Sequence, residues 1–173
     1  MLVDHNTQAF CKVICQKRVP SFDVIEQLMH QYNVNFAVID AQPEYRNSIL
    51  FTNKFYGRAK ACFYAPSGTR MVRENKDTSE ATITVDRTAW LDLSLGRIKA
   101  KTISFPMDID LEYRAHLKSL IRVYNKDKHD NPVGAYVKDE NDPDHYAHAR
   151  NYCELALVFA LGAGKSHDIG KVL

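Results

Sequence analysis

The stretch Phe36-Ala37-Val38-Ile39-Asp40-Ala41-Gln42-Pro43-Glu44 decides how this chain folds. Its near-continuous apolar start reads as a strand buried on both faces, a central strand with neighbours on either side. The run ends on Asp40. Pro43 then opens a helix at its first turn, with Glu44 well placed against the helix dipole. That helix runs to about Phe55, and Gly57 ends it. Working back, Phe22, Ile25, Leu28, Met29 and Tyr32 recur at helical spacing behind Ser21, a capping residue type. Before them, Gln8 to Val19 alternates as a strand. Working forward, Ala59–Tyr64 is a strand, 65–80 a polar loop and Ala81–Val85 a strand. Asp86-Arg87-Thr88 leads into a helix through Leu95, with Gly96 as its stop. Ile98–Phe105 reads as a strand or ribbon with Lys99 and Lys101 on one face. A helix over Leu111–Leu120, a strand at Ile121–Tyr124, a returning strand at Ala135–Lys138 and a helix over Asp144–Leu161 complete the pattern. The alternation predicts one α/β domain over residues 1–173.

Composition agrees with a folded domain: 45% hydrophobic and 25% charged residues, with seven Gly and six Pro in 173. This excludes collagen-like, low-complexity and wholly disordered classes. No apolar run approaches the roughly 18–20 residues of a membrane span, so no membrane partner is expected. Met1-Leu2-Val3-Asp4-His5 lacks the basic and apolar regions of a signal peptide. Cys11, Cys15, Cys62 and Cys153 form no C-x-x-C pair and read as reduced, buried thiols. The formal net charge is only +2, but seven basic residues face two acids between Glu44 and Lys76. Lys138–Asp144 reverses this, with four acids and one lysine. Phosphate binding by the first and metal binding by the second is the functional reading; plain solvated faces are the alternative.

Asp40 carries the clearest chemical signal, because open α/β sheets present ligands at the carboxyl ends of their strands; an acid simply capping the following helix is the alternative. Asp144 is the second candidate, although an acid early in a helix is equally read as a plain partner of the helix dipole. On a helix wheel it falls within about 80° of His148, Tyr152 and Leu155, at the rim of the apolar face. If the two converge, they supply hard oxygen ligands for Mg²⁺ or Mn²⁺, and two such ions suit phosphodiester hydrolysis. His145 or His148 could add a ligand; each could equally be a hydrogen-bonding partner. Gly162-Ala163-Gly164-Lys165-Ser166 only mimics a phosphate loop, since Phe159 stands where a glycine is needed and a helix leads in. His145, His148 and Cys153 lack a fourth partner for zinc.

Three blocks together resemble the nuclease domain of tailed-bacteriophage terminase large subunits. Ile39-Asp40-Ala41-Gln42-Pro43-Glu44 is similar to its strand-Asp and Pro-Glu helix segment. Val85-Asp86-Arg87-Thr88-Ala89-Trp90-Leu91-Asp92 with Gly96-Arg97-Ile98 resembles a stretch of the same domain, and Pro143-Asp144-His145-Tyr146-Ala147-His148-Ala149-Arg150-Asn151-Tyr152 resembles its last catalytic helix.

The resemblance implies an RNase H-like mixed central sheet flanked by helices and a metal-dependent endonuclease cutting concatemeric double-stranded DNA during packaging. It implies Asp40 and Asp144 as catalytic acids and ligands of Mg²⁺ or Mn²⁺, with two ions expected. It places the Asp86–Phe105 region near the cleft, making Arg87, Arg97, Lys99 and Lys101 the expected DNA contacts. A portal ring and a small terminase subunit are the implied partners, in the host cell cytoplasm. The family often has an acid where this chain has His148. The family's first catalytic Asp lies on a strand with two more following before the helix matching Ser21–Tyr32. Here about one strand fits, so the sheet is expected to lack its first strand, the ATPase domain is absent, and Asp4 is the remaining candidate for that acid. Two further readings stand beside this one: a non-catalytic DNA- or motor-docking fragment, and an RNase H-like nuclease of resolvase or recombinase type.

Overall fold

The computed structural model describes residues 11–68, 71–75 and 79–162. Its strands are β1 (Cys11–Lys12), β2 (Ala37–Asp40), β3 (Ala59–Ala65), β4 (Val72–Glu74), β5 (Thr82–Asp86), β6 (Ile103–Ser104), β7 (Ile121–Lys126) and β8 (Pro132–Val137). Its helices are α1 (Phe22–Gln31), α2 (Tyr45–Lys54), α3 (Arg87–Lys99), α4 (Leu111–Lys118) and α5 (His145–Ala160). The fold is mixed α/β, with parallel and antiparallel pairing. The chain forms two compact units. The sheet unit takes Val19–Trp90 and the described residues from Ala149 onward; the hairpin unit takes those up to Arg18 and Leu91–His148.

In the sheet unit the strand order is β2-β3-β5-β4. β2, β3 and β5 run parallel, and β4 is antiparallel to β5. Asp40 lies opposite Cys62 on β3, and Asp86 opposite Ala65. α1 and α2 close the core with Met29, Phe51 and Phe55 over Ala59, and Phe22, Ile25 and Ile39 pack around them. On α5, Phe159 stacks on Phe36 at 5.0 Å between ring centroids. Within the same helix the buried Arg150 and Glu154 form an ion pair one turn apart, which spares both charges an unpaired burial.

In the hairpin unit β7 and β8 form an antiparallel pair. The Asp127 carboxylate holds the turn by accepting from the backbone N–H groups of His129 (2.7 Å) and Asn131 (2.9 Å). Leu91 and Leu95 of α3 pack with Leu120, Tyr136 and Ala147. Asp110 caps α4 by accepting from Glu112 N at 2.9 Å, which satisfies one of the helix's orphan donors.

Most expected elements are present, and five differ. The β2 run has Val38 buried but Ala37 and Ile39 only partly so. Among the described residues β2 pairs with β3 alone, so it is an edge strand and not a central one. α3 does not stop at Gly96 but continues to Lys99, because an interior Gly costs only about 1 kcal/mol while Ile98 and Leu95 gain a core. The helix ends instead in a paired turn: Lys101 N donates to Ile98 O (3.1 Å) and Thr102 N to Arg97 O (3.0 Å), with Lys101 at φ 58°. That left-handed cap takes the place of the expected Ile98–Phe105 strand and leaves only Ile103–Ser104. β1 is correspondingly short, since it pairs only with that remnant. The region expected to be all loop contains β4. Of the four cysteines only Cys62 is buried; Cys15 and Cys153 are exposed, which corrects the expectation of buried thiols. Among the described residues no helix is long and apolar enough to cross a membrane.

Candidate functional site

Asp40 stands exposed at the carboxyl end of β2. The chain fixes it from both sides: its Oδ1 accepts from Gln42 N at 3.0 Å, and its carbonyl accepts from Ser48 Oγ of α2 at 2.7 Å. Oδ2 accepts no hydrogen bond among the described residues. Beside it stand weak acids from β3 and α5: buried Cys62 and Tyr152 and half-buried Tyr64. Tyr64 and Tyr152 stack at 5.4 Å, and Asn151 Nδ2 donates to Tyr64 Oη at 2.9 Å. Burial pushes Cys62, Tyr64 and Tyr152 far above their usual ionisation ranges, and the negative charge of Asp40 adds to each shift. These groups therefore stay protonated at neutral pH and leave Asp40 as the local anion.

Asp144 immediately precedes α5 and belongs to the hairpin unit. Its side chain is 13% exposed, as expected for the rim of the helix's apolar face. His148 Nε2 lies 3.2 Å from its Oδ2, and Lys138 Nζ 4.0 Å from its Oδ1. His148 is thus a partner of the acid, while His145 instead stands edge-on to the His116 ring at 6.0 Å. Asp4 lies outside the described residues.

The four basic residues expected on DNA are placed unequally. Arg87 opens α3 in the sheet unit; Arg97, Lys99 and Lys101 lie at its other end in the hairpin unit. Lys99 and Lys101 do not share a strand face, because Lys99 ends the helix and Lys101 is the residue in its left-handed cap. Arg97 is half-buried, and its Nη2 donates to Cys11 Sγ at 3.1 Å, so its guanidinium is partly committed inside the fold.

Two carboxylates with firm roles were not singled out by the sequence reading. Asp86 is buried; it accepts from Gly68 N (2.8 Å) and from Ala89 N (2.9 Å), capping α3 from the end of β5. An Asp before a helical pattern is a cap signal that could have identified it. Asp92 accepts from Arg122 Nε (2.6 Å), Arg122 Nη2 (2.8 Å) and Tyr136 Oη (2.8 Å). That network joins α3 to the hairpin, and no local spacing announces it.

Among the described residues no group of three or more His, Cys, Asp or Glu side chains is arranged to hold a metal ion. The donor chemistry of Asp40 still fits Mg²⁺ or Mn²⁺: it is a hard, exposed oxygen ligand with one uncommitted oxygen. Such ions often keep several waters and bind through one or two carboxylates plus substrate phosphates. No protein-family model matches this chain, and neither the curated proteins nor the solved structures give a match.

Proposed function

We propose that this chain is the RNase H-like nuclease domain of a viral DNA-packaging terminase, hydrolysing phosphodiester bonds of double-stranded DNA with Asp40 and Asp144 as its catalytic carboxylates. The supporting observation is Asp40 itself. An exposed acid, held by Gln42 N and Ser48 Oγ at the carboxyl end of a parallel strand, is fixed in position yet keeps an oxygen for a ligand.

In this reading Asp40 is the principal ligand of Mg²⁺ or Mn²⁺, and the protonated Tyr64 and Tyr152 keep competing negative charge away from it. Asp144 supplies the second carboxylate, with His148 orienting it as hydrogen-bonded partners of ligands do. When bound, the ion supplies Lewis-acid stabilisation of phosphate charge and acidifies water. Basic side chains at the end of α3, Lys101 first among them, hold the DNA backbone. The portal ring and the small terminase subunit are the partners this reading carries, in the host cytoplasm. A second reading, a DNA- or motor-docking module without catalysis, draws on the pairing of Asp144 with His148 and Lys138.

The test is cleavage of supercoiled plasmid by the full chain with Mn²⁺ or Mg²⁺. Nicking by the wild type that is lost in Asp40→Asn supports the nuclease reading. Binding without nicking supports the docking module, and preference for branched junctions over linear duplex supports a resolvase-type nuclease.

A further inference from the structure

A trough of about 580 Å³ lies wholly within the hairpin unit and involves neither Asp40 nor Asp144. Its walls are mostly apolar, with Leu95 and Ile98 from α3, Leu117 and Leu120, and the rings of Phe105 and Tyr136. Lys99, Arg114, Lys118 and Arg122 stand around it, and no acidic side chain lines it. Met107, fully exposed, lies at its margin. An exposed, flexible thioether beside an apolar trough suits a surface that adapts to a partner's side chains.

We propose that this trough docks an acidic, amphipathic peptide segment of a protein partner, its bulky apolar side chains seated between α3 and α4. Charge complementarity selects the occupant. Asp92 already holds Arg122, so the charge left for a ligand resides on Lys99, Arg114 and Lys118. Arg114 and Lys118 are one turn apart on α4, about 6 Å along its axis, and Lys99 ends a different helix. Cations spread along a trough match carboxylates spaced along a peptide; one anionic head group would need them to converge. DNA is disfavoured by the same walls. A duplex offers phosphates and sugars that gain nothing from leucine and isoleucine. The matching recognition mode is an amphipathic helix in a groove, anchored at i, i+4 and i+7.

The experiment uses the full 173-residue chain and a panel of fluorescent peptides. Each has Leu, Phe or Trp at i, i+4 and i+7 and Glu elsewhere on its polar face. Fluorescence anisotropy measures affinity, and amide chemical shifts locate the site. Micromolar binding that perturbs Leu117 and Leu120, weakens on Glu→Lys in the peptide, and falls about tenfold in the double variant Arg114→Glu, Lys118→Glu supports the proposal. Both substituted residues are exposed, so unchanged circular dichroism is expected. Three results overturn it: no panel member binding more tightly than about 1 mM, Glu→Lys peptides binding as well as the acidic ones, or duplex DNA competing for the trough and losing affinity in the same variant.

Discussion

Gly134 makes room for Arg122: a Cβ at position 134 would lie 1.9 Å from Arg122 Nη1 and 2.4 Å from its Cζ. The guanidinium crosses the face of the hairpin at that point, 4.7 Å from the Tyr124 ring centroid and 5.7 Å from that of Tyr136, and ends on Asp92. Gly134→Ala is therefore expected to displace Arg122 and cost about 1–2 kcal/mol through the weakened contact with Asp92. Urea denaturation measures it. In an Arg122→Ala background the same change should cost nothing, since Ala suits a strand better than Gly. Equal losses in both backgrounds would separate Gly134 from Arg122.

Lys101 invites the opposite substitution. It holds φ 58° in the turn that ends α3, a conformation in which glycine has no Cβ penalty. Lys101→Gly should raise stability by about 0.5–1 kcal/mol. A lower melting temperature for the variant would contradict the cap. The same variant removes a cation from the proposed DNA surface, so duplex affinity should fall even as stability rises, with a shallower dependence on salt.

These two positions show what was legible in the sequence. The helices and most strands follow from apolar spacing, and Asp40 and Asp144 were placed by it at a strand end and a helix rim. The end of α3 departs from its sequence pattern because Gly96 is a plausible stop and Lys101 is a residue rarely found at positive φ. Local spacing did not weigh the tertiary packing of Ile98 that carries the helix past its glycine. The Asp92–Arg122–Tyr136 network was invisible for another reason. Its members are 30 and 44 residues apart in the chain and meet only after the hairpin forms.

Asp40→Asn should abolish metal-dependent plasmid nicking while leaving the melting temperature within a degree or two, since an exposed side chain is altered and its oxygen can still accept from Gln42 N. Asp144→Asn should be as damaging to Mn²⁺ binding by calorimetry. Asp142→Asn should be mild, because the side chain is exposed and Lys138 contacts only its backbone carbonyl. Equal losses at 142 and 144, or none at either, would contradict the assignment of Asp144.

Asp92 gives the hairpin unit an acid sensitivity. Burial pushes its carboxyl up, but the hydrogen bonds from Arg122 and Tyr136 and the guanidinium charge outweigh this and hold it below the usual carboxylate range. A depressed folded-state value contributes stability that is present above the unfolded value of about 4 and lost as pH falls through the folded one. Urea midpoints between pH 7 and pH 3 should drop more for the wild type than for Asp92→Asn, which starts lower. Parallel curves would show that Asp92 is not part of the acid response.

The edge position of β2 has a further consequence. Ala37 and Ala41 direct their N–H groups to Arg58 and Cys62 carbonyls at the β3 side, so by strand alternation Val38 and Asp40 direct theirs outward. Among the described residues no strand pairs along that side; a strand laid there would pair with the backbone on either side of Asp40 and bring its own side chains next to the carboxylate. Extending the sheet by one strand and changing the electrostatic company of Asp40 would be a single event, with the chemistry at that corner written partly by whatever segment comes to lie there.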